Sequence, residues 1–119
     1  MWNSAARLGP LRDEGILILG SGNVVHNVRA CAWGVSGAEP YDWATRFETE
    51  VRGLLAAGDS RRLAGYEKLG RDALLSAPTP EHYLPLLYVA GTKQSSDAVA
   101  FPVDGIEGGS ISMLSALIG

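Results

Sequence analysis

Four apolar residues, Ile16-Leu17-Ile18-Leu19, stand together without a polar interruption, and Gly20-Ser21-Gly22-Asn23 closes the run. A strand with one wet face alternates apolar and polar residues, whereas a strand covered on both faces is apolar throughout, as in parallel α/β sheets. The run therefore predicts a strand with layers on both sides and a glycine-rich turn at its carboxyl end. In open α/β sheets that end is where ligands bind. Val24-Val25-His26-Asn27 comes next, which sets His26 just past a buried strand tip.

Helical patterning surrounds this strand. Ser4 to Glu14 carries Ala5, Leu8 and Leu11 at helical spacing, with Gly9-Pro10 predicting an interruption and Gly15 an end. Asp42 predicts an N-cap for a helix to about Ala57, with Trp43, Phe47, Val51 and Leu54 on one stripe. A second helical region, Arg61 to Leu75, breaks near Gly70. Thr79 and Pro80 predict the start of another helix, with His82 in its first turn and Pro85 bending it. Ala98 to Val103 and Ser110 to Ser115 read as strands, with Asp104 to Gly109 as the tight connection of a hairpin. Together these readings predict an α/β fold, a partial mixed sheet with packed helices, formed as one unit over residues 1–119.

Charge and composition narrow the function classes. Ten basic against 13 acidic residues give a net charge of −3, with no basic footprint for nucleic acid or an anionic membrane surface. No apolar run approaches the roughly 20 residues that span a bilayer, and Met1 to Arg7 lacks the apolar centre of a signal peptide. The single cysteine, Cys31, excludes an internal disulfide framework and a cysteine-based zinc cluster. The expectation is a cytoplasmic protein without nucleic-acid or membrane partners.

Chemistry centres on the only two histidines, His26 and His82. Imidazole titrates near neutrality and ligates metals through a neutral nitrogen, so it serves proton transfer and coordination alike. Each also has a plainer reading: His26 as a polar loop residue at a strand end, His82 as a solvent-facing residue of a helix first turn. Asn23 and Asn27 can orient His26 or a substrate, or serve turn chemistry alone. Glu81 is a candidate outer partner of His82, or simply a first-turn acid. Glu48 and Glu50 read as solvated helix surface, Cys31 as a packing residue, and Trp33, Tyr41 and Trp43 as core or as an aromatic pocket. Gly20 to Asn23 lacks the third glycine of a dinucleotide fingerprint, and Ser21 lacks a nucleophile-elbow setting.

The segments Gly20-Ser21-Gly22-Asn23-Val24-Val25-His26-Asn27 and Thr79-Pro80-Glu81-His82-Tyr83-Leu84-Pro85-Leu86 resemble the carboxyl-terminal half of the class III extradiol ring-cleavage dioxygenases, in the 4,5-DOPA dioxygenase branch. Leu11 to Gly15 and Gly105 to Met113 match as well, and Ala56 to Leu75 matches least. The resemblance implies an oxidoreductase with a mononuclear non-haem metal, Fe(II) or in its place Zn(II), that opens a catechol such as DOPA with O2 at the bond beside the diol. It implies His26 as acid/base, His82 as metal ligand with His26 also at the metal, and Asn23 and Asn27 near the substrate.

One departure accompanies the match. The family's complete enzymes are about twice as long and place two further metal histidines in the amino-terminal half, whereas no third histidine exists here. Iron sites of this kind commonly use three protein ligands. The resemblance thus implies a truncated catalytic-domain fragment, inactive alone or completed by another chain, with an exposed apolar patch that drives self-association. A non-catalytic remnant that binds a metal or a partner is the rival reading, and phosphate binding at Gly20 to Asn23 is a second.

Overall fold

The computed structural model describes residues 2–119. The chain opens with helix α1 (Trp2–Ala6), followed after an interruption at Gly9-Pro10 by a 3-10 helix (Gly9–Glu14). Helix α2 (Asp42–Ala57) is the longest element, and α3 (Ser60–Ala64), a 3-10 turn (Tyr66–Leu69), α4 (Arg71–Ser76) and α5 (Leu84–Ala90) follow it. Four two-residue strands complete the order: β1 (Val99–Ala100), β2 (Ile106–Glu107), β3 (Ile111–Ser112) and β4 (Leu117–Ile118).

The core lies where α2, α3 and α5 meet. Phe47, Val51 and Leu55 come from one face of α2, Leu63 from α3 and Leu87 from α5, all buried. Tyr83 is fully buried among them, its ring 4.2 Å from that of Tyr66 and 6.1 Å from that of Phe47. Its hydroxyl donates to the Leu63 carbonyl at 2.9 Å, so the polar end of a large apolar body is satisfied. The predicted stripe of α2 is thus the buried one. The helix nevertheless begins at Asp42, with Tyr41 at the cap position and no side-chain cap.

The α/β class holds, as packed helices with small antiparallel sheets. β1 pairs with β4, and β2 with β3. Between them Ser115 N–H donates to the Val103 carbonyl and Met113 N–H to the Gly105 carbonyl, so residues 98–119 form one long hairpin interrupted near Pro102. Its turn is tighter than the predicted Asp104-to-Gly109 connection. It falls at Gly108 and Gly109, whose φ angles of 57° and 80° are backbone that glycine adopts without strain.

Ile16–Leu19 departs from expectation. It forms no strand: from Leu17 through Gly22 no backbone hydrogen bond to another described backbone is made, and Leu17 and Leu19 are 79% and 85% exposed. A strand exists only through its neighbours, and none among the described residues lies alongside this run. The other departure concerns α5, which starts at Leu84 rather than near Pro80. Pro85 therefore lies in its first turn, where a missing N–H costs nothing, and no bend results.

Candidate functional site

Residues 25–27 are held on both sides. On one side the Val25 carbonyl accepts the Ser112 N–H at 2.9 Å, the Asn27 N–H donates to the Ser110 carbonyl at 3.1 Å, and His26 bridges to Ile111. On the other the His26 N–H donates to the Ser76 carbonyl at the end of α4, at 2.7 Å. His82 is on the turn before α5, not within the helix, and its carbonyl accepts the Asn23 N–H at 2.7 Å. The glycines of the turn are required by this close approach. A Cβ at Gly22 would run into the His82 carbonyl, and one at Gly20 would stand 2.7 Å from the Pro85 carbonyl oxygen.

These constraints bring the two histidines ring to ring. Their centroids are 3.4 Å apart and their planes 12° from parallel. Partial burial, followed by the proximity of His82, lowers the His26 pKa, which favours its neutral form. Glu81 opposes this by its charge. Its own carboxyl is held below the usual range first by its backbone amide, then by the Thr79 hydroxyl, and less by the two imidazoles.

Two clefts flank the pair. One, of about 430 Å³, reaches from Leu19–Val24 past His82 to Leu86, Met113 and Leu114. The other, of about 370 Å³, is lined by His26, Val28, Cys31, Trp33 and Ile111. Both fall within the roughly 300–1,000 Å³ of small-molecule sites. A further cleft, about 590 Å³ between Leu55, Gly58, Leu63 and Lys93, holds no histidine.

Asn23 and Asn27 spend their amides on the backbone. Asn23 Nδ2 donates to the Ser112 carbonyl at 2.7 Å. Asn27 Nδ2 donates to the Leu75 carbonyl at 2.8 Å, and its Oδ1 accepts the Ala30 N–H at 3.1 Å. Both therefore fix the segment that carries His26.

A shared metal does not fit this pair as it stands. A ring nitrogen offers its lone pair in the ring plane, with the metal roughly 2 Å away. Two nearly parallel planes separated by a stacking distance share no such point, so one ion cannot be ligated by both rings in this arrangement. Among the described residues, no group of three or more His, Cys, Asp or Glu side chains is placed to hold a metal ion. His82 or His26 offers one ligand, not a site.

Several features escape the sequence reading. Glu48 is buried rather than solvated: its Oε2 accepts the Ser112 hydroxyl at 2.9 Å, and Arg52 stands 3.7 Å from its Oε1. The α2 periodicity places Glu48 beside Phe47 at the edge of the apolar stripe, and that adjacency was the available signal. Trp33 is 72% exposed beside His26, its indole N–H donating to the Val28 carbonyl, while Tyr41 and Trp43 stack on each other at 5.2 Å. Cys31 packs where a Cβ on Gly108 would otherwise sit.

No protein-family profile matches the chain. It is 47% identical over 116 residues to the 4,5-DOPA dioxygenase extradiol of Escherichia coli K12, covering 95% of this chain and 42% of that protein. The protein of the same name from Beta vulgaris is 32% identical over 101 residues, covering 82% of this chain and 37% of its own length. A crystal structure of an uncharacterized Escherichia coli K12 protein superposes with a TM-score of 0.87 at 43% identity, over 97% of this chain and 48% of that one. The chain thus spans under half the length of the curated relatives it matches, which is consistent with a carboxyl-terminal half.

Proposed function

From its standing as a partial-length relative of the 4,5-DOPA dioxygenase extradiol proteins, we propose that the chain contributes the proton-transfer half of a catechol ring-opening site. The observation that carries this reading is the stacked His26–His82 pair between two clefts. His26, kept neutral by burial and by its neighbour, takes a hydroxyl proton from a catechol such as DOPA and later returns one to the opened product. Asn23 and Asn27 hold His26 in place rather than bind substrate. His82 offers one ring nitrogen to a divalent metal, Fe(II) or Zn(II), whose other ligands come from outside the described residues. The co-substrate is O2, and the protein works in the cytoplasm with a complementing chain or a further copy.

Among the described residues no group of three metal-ligating side chains forms, which favours one other reading, a remnant that binds metal or partner without catalysis. Anaerobic Fe(II) titration with DOPA present, followed by air and a spectral scan, separates the two. A yellow ring-opened product that disappears in His26→Ala supports the catalytic reading. No product, from the chain alone or with the remainder of the Escherichia coli relative supplied, overturns it.

A further inference from the structure

We infer that the cleft beside His26 is a subsite for a cationic tail, and that Glu107 and Trp33 select catechols bearing an ammonium group. Backbone pairing sets the geometry. His26 is opposite Ile111 and Ile111 is opposite Glu107, so the three residues form one row across adjacent extended segments. Residues opposite one another across such a ladder point to the same face. Val25 and Ser112, each one residue along, are buried, which turns the His26 row outward. All three of its members line the cleft of about 370 Å³. Two steps between neighbouring segments, each about 5 Å, put Glu107 roughly 10 Å from His26. That is room for a catechol ring whose hydroxyl meets His26 and a two-carbon tail that reaches the carboxylate.

Charge and an aromatic face decide what the tail carries. Among the described residues lining this cleft, Glu107 is the one formally charged side chain at neutral pH, with no Lys or Arg beside it. It also makes no ion pair among the described residues, so its charge is available. A carboxylate tail meets its like there, whereas an ammonium tail meets its counter-charge. Trp33 supplies the second contact. The Ala32 N–H ties its loop to the Gly108 carbonyl at 2.8 Å, next to Glu107, and the indole N–H is spent on the Val28 carbonyl at 3.1 Å. The ring is largely exposed all the same, so a fixed aromatic face stands free in a cleft that holds a carboxylate. A cation seated over an indole face and beside an anion gains from both.

The choice of a catechol rests on the proposed function; the choice of its charge does not. The test titrates the 119-residue chain, free of oxygen and metal, with dopamine and with dihydroxyphenylpropionate, which differ in the charge of the tail. Ligand-observed NMR gives both affinities. Dopamine should bind at least about fivefold more tightly. Glu107→Gln should remove most of that preference and Trp33→Ala should weaken dopamine binding, with circular dichroism unchanged because both side chains are exposed. Equal affinities, a preference kept in Glu107→Gln, dopamine binding unchanged in Trp33→Ala, or no binding of either ligand would each overturn the inference. A Glu107-dependent preference with no ring-opened product once Fe(II) and air are supplied would retain the subsite and remove the catalytic reading instead.

Discussion

The imidazoles of His26 and His82 stack at 3.4 Å although one is on a loop clamped between α4 and the hairpin and the other on the turn before α5. A neighbouring imidazole at that distance disfavours the charged form of His26. The His26 pKa is therefore lowered from its ordinary 6.5, first by burial and then by His82. The unfolded chain binds more protons than the folded one between that depressed value and 6.5, so this pair costs stability as pH falls through the window and nothing above it. Proton NMR titration should place His26 below 6.5, and His82→Ala should move it back up. A His26 midpoint unchanged by His82→Ala would contradict the coupling.

Asp97 titrates with the opposite sign. The Arg12 guanidinium grips it with both terminal nitrogens, and the Gln94 N–H adds to this, holding the Asp97 pKa down at about 2. Its contribution is present above the ordinary carboxylate value and lost as pH falls towards 2. Arg12 also donates to the Thr92 carbonyl at 2.8 Å, so the pair ties the 3-10 helix to the loop after α5. Acid unfolding monitored by circular dichroism should show less pH dependence between about 4 and 2 in Asp97→Asn than in the parent.

Tyr83→Phe isolates one buried hydrogen bond. The Tyr83 side chain is fully buried, and its loss of a hydroxyl leaves the Leu63 carbonyl without its donor. An unsatisfied buried acceptor costs about 1–3 kcal/mol, to be read as a lower urea midpoint at unchanged slope. A midpoint equal to that of the parent would show that water reaches the Leu63 carbonyl.

Much of this architecture was legible in the residues. The apolar stripe of α2, the break at Gly70 and the interruption at Gly9-Pro10 follow from local rules of spacing and backbone freedom, and the structure keeps them. Ile16–Leu19 was not, because its pattern states what the strand needs and not what is alongside it. The same limit hid Glu48, whose burial depends on Ser112 arriving from the far end of the chain. The two histidine segments were visible as motifs, but their stacking was not, since it depends on Gly22 admitting the His82 carbonyl.

That dependence yields the sharpest test of how the pair is built. In Gly22→Ala the new methyl group meets the His82 carbonyl, and in Gly20→Ala it meets that of Pro85 at 2.7 Å, backbone atoms that cannot rotate away. Forced expansion of a packed contact costs typically about 1–3 kcal/mol. Gly22→Ala should also push the turn carrying His82 away from Asn23, whose N–H bond to that carbonyl would lengthen from 2.7 Å. Gly20→Ala acts one turn further along, at α5, and should destabilise by a similar amount while disturbing the rings less. Thermal unfolding gives the first quantity and the histidine ring chemical shifts the second. Equal shift changes in both variants would mean that the whole 20–22 segment moves as one body and that Gly22 has no separate part in placing His82.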